Sequence, residues 1–449
     1  MARLQRRLRR LDALAIAISS VIGIGVFRNT GLILRGADGF IGATLLWFVA
    51  GVLCLGGAIL YADLSARVPE AGGPYAYVRV AFGGRAAFAY GWMNAGVAIP
   101  ARQASTAAFA GELLSGWLPL TPRVLAVSLY LLLAGLHLFG VRAGAFAQRI
   151  FTVEKLGTVA LVAVLAIALG VSRGPVDHAS VPPASFGLAL SAVWYSYLSW
   201  QDVVLLAEEL PAPRRDLPVV MFTTVLLTMA LFMALHIAVF WGLGGGAEAY
   251  DKLPAGHVVQ RTLGSTGVSL LQVLLLVSLI GVTAGGLLVR PRIAMALARD
   301  GLGPAALTRV SRAGTPYGAM GFQVAIASAL ILTGSYVTLL ELISFAMGVL
   351  GLCEIASYFV VRRKRPELPT SRFHPWAPLA FFVMSGALCI YGGKEHPWGI
   401  ATSFVILAAI SIVYALARPR VIAPEPTPTY AKLPEARTRA SGSRPDAET

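Results

Sequence analysis

Charge is scarce in this chain. Asp, Glu, Lys and Arg make up 13% of its 449 residues, against about a quarter in an ordinary soluble domain. Hydrophobic residues make up 57%, more apolar surface than a water-soluble fold can hide. A bilayer, itself an apolar solvent, is therefore required. Cysteine is nearly absent. Cys54, Cys353 and Cys389 all lie inside apolar stretches, and no pair has metal-ligand spacing. Neither disulfides nor a metal site nor a cofactor is expected. Also missing is any dense set of acidic, His or Ser groups at one interface, which disfavours an integral membrane enzyme such as a lipid or glycan transferase. Strict alternation is lacking too. Leu156–Leu169 and Val219–Trp241 are continuously apolar, which excludes a β-barrel wall.

What is present is a series of apolar segments, near 12–34, 41–66, 84–115, 123–140, 148–170, 185–207, 218–242, 266–296, 317–333, 336–360, 376–393 and 398–417. Most approach the roughly 20 residues that cross a bilayer as helix. The fold class is all-α integral membrane with about twelve transmembrane helices. A basic N-terminal segment, 1–11, precedes the transmembrane domain, 12–417. The tail, 418–449, is rich in Pro, Ala, Arg and Glu, has no apolar period and is expected to be disordered. The basic head and apolar run of Met1–Ser20 resemble a signal peptide, but no small-x-small cleavage site precedes Arg28, so the run is read as the first membrane helix.

The net charge is +15. The basic residues cluster at segment ends, with no stripe interleaved with aromatics, so they anchor helices rather than bind nucleic acid. With the N-terminus inside, cytoplasmic segments hold about 24 Lys and Arg and the opposite loops about 7. Arg290, Arg292 and Arg299 are counted on the cytoplasmic side. Both termini are therefore expected in the cytoplasm of a multi-pass cell-membrane protein.

Two segments are internally interrupted. The first carries Gly23-Ile24-Gly25 at its middle. Glycine disfavours a helix interior, and unwound backbone inside a membrane is tolerated only where it lines a cavity. Taken alone, the glycines equally permit close helix packing. The sixth segment carries Tyr195-Ser196-Tyr197-Leu198-Ser199-Trp200, polar groups at a depth that again suggests a cavity. These segments open two five-helix halves, and interruptions at matching positions of two halves point to a transporter binding site.

Several runs, in order, resemble the amino acid–polyamine–organocation superfamily of permeases, in particular bacterial relatives of the L-type amino acid transporters. They are Ile22-Gly23-Ile24-Gly25-Val26-Phe27; Ala62-Asp63-Leu64 with Pro69–Tyr75 and Ala81-Phe82-Gly83; Ala207-Glu208-Glu209 with Pro213-Arg214 and Leu217-Pro218; and Arg292 with Ala296–Leu302 and Thr315-Pro316. The resemblance covers roughly residues 10–415. It implies a leucine-transporter-like fold of two inverted five-helix repeats plus two extra helices, with helices 1 and 6 broken around the substrate. Gly23, Ile24 and Gly25 would then hold an amino acid's carboxylate and the backbone near Tyr195, Ser196 and Tyr197 its amine, since half-helix ends suit these charges. Trp200 would cap the substrate; the alternative is an ordinary core or interfacial Trp. Two departures stand out. Ile24 sits where the family commonly has a small residue, and Leu198-Ser199 precede Trp200 where it usually has a glycine.

Ionisable residues inside segments are costly and need a role. The resemblance places Lys155 at the lysine whose ammonium replaces the sodium ion of sodium-coupled relatives, making it the coupling residue; otherwise it snorkels near a helix end. Arg102, with no evident partner, either contacts an acidic substrate or faces a water-filled vestibule. Glu341 and Glu354 are open between buried and solvated positions, with Glu354 near the cytoplasmic end. His137 and His236 are expected to be packed or hydrogen-bonded. The function implied is a sodium-independent amino acid carrier working by alternating access, proton-coupled or exchanging, with amino acid, proton and lipid as partners and no sign of an obligate partner subunit. The alternatives are a polyamine or amine carrier of the same fold, the membrane enzyme disfavoured above, and a channel.

Overall fold

The computed structural model describes residues 8–171, 182–333, 336–368, 371–395 and 397–417, and the side chains of these except 336–345, 392, 393 and 395. The expected tail and the first seven residues of the basic segment lie outside the described residues, as does the Glu341 side chain. Among the described residues every regular element is helical.

The first span is broken as expected. α1 (Arg10–Val21) and α2 (Gly25–Gly36) meet at a 43° bend across Ile22–Ile24. α3 (Phe40–Arg67) is a long apolar helix. The run after it, read from sequence as loop, contains a short helix, α4 (Pro74–Phe82), because Pro74 is pre-set for a first helical turn. α5 (Gly84–Met93), a π-helical turn at Asn94–Ala98 and α6 (Ile99–Leu114) run on as one irregular span. α7 (Pro122–His137) and α8 (Val141–Val171) follow. α9 (Phe186–Tyr197) ends at Leu198, and a 3₁₀ helix, Trp200–Glu209, begins only after Ser199 has turned the chain. α10 (Pro213–Gly242) is unbroken.

The eighth span departs from the expected 266–296. α11 (Pro254–Val289) starts earlier, and α12 (Pro291–Arg299) is a separate helix. His257 and Arg261 hid the early turns from a hydropathy reading, a positive φ of 68° at Gly264 kinks α11, and Pro291 starts a new helix. α13 (Tyr317–Thr333), α14 (Tyr336–Lys364), α15 (Trp376–Glu395) and α16 (Pro397–Ala417) complete the chain.

Among the described residues five helices are long and apolar enough to cross a membrane, or six with the bent α1–α2 pair. Large apolar side chains stand on the outside, such as Phe139, Phe146, Trp398 and Leu416. Water would not tolerate such a surface, and lipid does. α1 packs against α8, α10 and α11, and α2 against α9, so the two breaks lie side by side at the centre.

At one end of the bundle the runs that carry the resemblance converge. Arg79 pairs with Glu70 and with Asp300, the latter at 2.8 Å, while Tyr75 donates to Asp300 at 2.7 Å. Arg299 reaches Glu208 at 3.1 Å, and the Ala71 amide donates to the same carboxylate. Arg292 donates to Glu209 at 2.5 Å with both side chains buried. Arg290 and Arg292, counted above among loop charges, are therefore interior groups, 2% and 0% exposed. A count of Lys and Arg assigns them to the cytoplasmic side because it does not see acids from other segments folding over them.

Candidate functional site

A cavity of about 50 Å³ lies between the two breaks, large enough for water. Gly23, Ile24 and Gly25 form one wall, and Tyr195, Ser196 and Ser199 another. Ile24 is thus part of the cavity wall.

The backbone at this point is polarised. α2 begins at Gly25, and Phe27 and Arg28 already donate to the Ile24 carbonyl. Among the described residues no hydrogen bond takes the amides of Gly23, Ile24, Gly25 or Val26. These are the orphan donors of a helix start, on the positive end of its dipole. Opposite them, α1 ends at Val21, and Ser20 and Val21 line the same cavity. A helix end leaves carbonyls without helical partners. The Ile18 carbonyl is taken by the Ile22 amide and the Ser19 carbonyl by the Lys155 ammonium. The Ser20 and Val21 carbonyls remain on the negative end.

The second break occurs without glycine. Ser199 adopts φ 90°, ψ −10°, a left-handed conformation that costs an ordinary residue roughly 1–2 kcal/mol. Its hydroxyl accepts from Arg290 Nη2 at 3.3 Å, which helps to hold it there. The two breaks are fitted to each other. Asn29 Nδ2 donates to the Ala192 carbonyl at 3.1 Å and to Ser196 Oγ at 3.0 Å. A β-carbon on Gly25 would stand 2.9 Å from Ser196 Oγ and 3.2 Å from its Cα.

Arg102 has a partner that the sequence did not reveal. Its Nη2 donates to both oxygens of Asp202, at 3.2 and 2.9 Å, and Arg290 Nε donates to the same carboxylate at 2.9 Å. The trio joins α6, the 3₁₀ helix and the end of α11. Both arginines line the cavity between the breaks. Arg102 and Asp202 also line a second cavity of about 30 Å³, on the side of α4. Glu354 lies there, buried rather than solvated, accepting from the hydroxyls of Tyr61 and Tyr90. Asp202, Arg290 and the Glu354 partners escaped sequence reasoning. An acid two residues after Trp200, deep in an apolar segment, was the signal that could have drawn attention to Asp202.

Lys155 is buried, and its Nζ donates to the Ser19 carbonyl in the last turn of α1. It does not snorkel. Neighbouring bonds reinforce this seam: Thr152 Oγ1 donates to the Ala15 carbonyl at 2.8 Å, and Gln148 Nε2 to the Gly281 carbonyl at 3.1 Å. His137 is bonded to the Leu133 carbonyl, and His236 to Thr44 while stacked on Phe40.

Two expected site residues stand apart from the cavity. Tyr197 points away from it, donating to the Trp47 carbonyl at 3.2 Å and packing against Phe232. Trp200 packs edge-on against Tyr61 and Phe381. The turn at Ser199 swings Trp200 out of line with Tyr195 and Ser196. Trp200→Ala is therefore expected to destabilise the detergent-solubilised protein by about 3–5 kcal/mol, the usual cost of emptying a Trp site. Trp398→Ala, at an 83% exposed position, is expected to change the melting temperature little. Equal shifts from both would show that Trp200 braces nothing.

Comparisons with known proteins agree with this architecture. The sequence model of one family, described as "Amino acid permease", matches residues 8–417. The serine/threonine exchanger SteT of Bacillus subtilis (strain 168) is 26% identical over 409 residues, covering 86% of this chain and 92% of its own length. The large neutral amino acids transporter small subunit 2 of Homo sapiens is 26% identical over 439 residues, covering 92% and 80%. The methylthioribose transporter of Bacillus subtilis (strain 168) is 26% identical over 444 residues, covering 92% and 93%.

Proposed function

The chain belongs to the amino acid permease family, and from that premise we propose that the cavity between the breaks is a zwitterion site used in alternating access. The protein is a secondary transporter of amino acids, as its relatives are. One observation carries the site: among the described residues no hydrogen bond takes the amides of Gly23–Gly25 or the carbonyls of Ser20 and Val21, and all of these residues line a single cavity. The first set suits a carboxylate and the second, with the end of α9, an ammonium. Held between opposite helix ends, an amino acid satisfies both, and neither a metal nor a cofactor is needed.

The finer reading completes this picture. About twelve spans form two inverted repeats plus two extra helices, with α1–α2 and α9 with its 3₁₀ extension as the first member of each. Both termini lie in the cytoplasm of a cell-membrane protein. The ion pairs among Glu70, Arg79, Glu208, Arg299 and Asp300 close the cytoplasmic side. Their side chains keep some exposure, from 10% to 26%, so water can compete for them, which suits them to opening. Coupling is sodium-independent, by proton or by exchange. Transport rather than catalysis is supported by the relatives, which are transporters.

The test is counterflow. Purified protein in liposomes preloaded with an unlabelled amino acid should accumulate the labelled form transiently and saturably. A channel gives no such overshoot, and an amine carrier responds to putrescine and not to zwitterions. Either outcome would replace the present reading.

A further inference from the structure

We infer that the substrate is an acidic amino acid, whose side-chain carboxylate is received by Arg102. This rests on the zwitterion site proposed above and adds the third contact that selects among amino acids.

The argument begins with charge. Arg102 and Arg290 both line the cavity between the breaks, and no Asp or Glu does. Their shared counterion, Asp202, lies on the other side of them, where it lines the second cavity. Two guanidiniums share one carboxylate. The other acid nearby, Glu354, lies in the second cavity, where it accepts from Tyr61 and Tyr90 and, among the described residues, forms no ion pair with either arginine, so the positive charge on the side of the first cavity has no acid facing it. Uncompensated charge is expensive in a membrane interior. Arg102 is 6% exposed, yet among the described residues its Nε and Nη1 have no hydrogen-bond partner. Only Nη2 is spent on Asp202. A buried guanidinium with two idle donors beside a cavity is a prepared receptor for a carboxylate oxygen, held by a charge-assisted hydrogen bond.

The substrate classes then separate. A neutral zwitterion brings its own balancing ammonium and leaves that positive charge as it was. A lysine-like or arginine-like substrate adds a further cation beside two guanidiniums. An acidic amino acid, with its α-carboxylate on the amides of Gly23–Gly25 and its ammonium on the helix-end carbonyls, carries one surplus negative charge. That charge faces the positive one and satisfies the idle donors. The small cavity favours the shorter side chain, so aspartate is the leading probe. The same contact reaches the conformational machinery. Arg102 bridges α6 to the 3₁₀ helix through Asp202, so a substrate carboxylate on its idle donors would bear on a residue that ties these two elements together.

Aspartate and asparagine are nearly isosteric and differ in this charge. Purified wild-type protein in liposomes is assayed for counterflow of labelled L-serine and labelled L-aspartate, and for inhibition of each by L-aspartate, L-asparagine and L-lysine. The expected result is that aspartate is preferred to asparagine by roughly tenfold or more, because a site built for a polar group rejects the analogue that leaves its donors idle. In Arg102→Gln that ratio should collapse to near unity. Asparagine equal to aspartate on the wild-type protein overturns the inference, whether or not the variant folds. So does an Arg102→Gln protein that keeps the wild-type ratio. Counterflow of serine that ignores aspartate overturns the acidic assignment while leaving amino acid transport standing. If neither labelled amino acid exchanges and no competitor acts, the zwitterion site falls, and this inference with it.

Discussion

Gly25→Leu is expected to reduce amino acid uptake to the level of empty liposomes while leaving the protein inserted and monodisperse. Gly25 stands at the start of α2, among the free amides. Any side chain there enters the space between the breaks: the first carbon alone would come within 2.9 Å of Ser196 Oγ, closer than a carbon and an oxygen tolerate. The rest of a leucine would fill the cavity and cover the amides. It would also favour a continuous helix, since the substitution removes glycine's cost of up to about 1 kcal/mol in a helix. Gly25→Ala should give an intermediate loss, because the Ser196 hydroxyl can turn aside while its Cα, 3.2 Å from the new carbon, must still give by a few tenths of an ångström. Uptake by Gly25→Leu at the wild-type level would mean that the substrate binds elsewhere.

The second large effect is at Lys155. Its ammonium donates to the Ser19 carbonyl, one turn from the break in the first span. A hydrogen bond to a charged group contributes about 1.5–3 kcal/mol, a factor of roughly ten to a hundred in a conformational balance. Lys155→Ala is therefore expected to lose most transport, by at least about tenfold, with insertion preserved. The same ammonium fills the seam between α1, α8 and α11, where a sodium ion would be repelled. Uptake should run equally well with sodium or choline outside. If imposed pH gradients drive uptake, the coupling ion is the proton. If they do not, and internal amino acid accelerates uptake, the protein is an exchanger and Lys155 a pin between α8 and α1. Sodium dependence would remove Lys155 from coupling altogether, and normal uptake by Lys155→Ala would reduce it to packing.

The two breaks show how unequally the site could be read. The first was legible because Gly23 and Gly25, one residue apart in an apolar run, weaken the helix by their own backbone freedom, whatever packs around them. The second was less so. The glycine normally expected before Trp200 is absent, which argued against strong unwinding, yet the chain turns there with Ser199 at a positive φ. A serine gives no warning of that conformation, because side-chain sterics disfavour it and only tertiary contacts hold it. Trp200 turns on the same point. The resemblance places it over the substrate, with an ordinary core position as the alternative, and the turn packs it against Tyr61 and Phe381.

Sequence alone determined the solvent, the helical class and the place of the first break. Each depends on local quantities: residues per span, charge per loop, and the propensity of a few neighbouring positions. Tertiary structure decided what the intramembrane charges do. Arg102 finds its counterion 100 positions away at Asp202, and Glu354 finds its donors at Tyr61 and Tyr90, 293 and 264 positions away. The interaction of charges depends on their distance in space and on the water excluded around them. Neither has a signature along the chain, and so whether an arginine is spent, shared or still open to a ligand emerges only once the helices have packed.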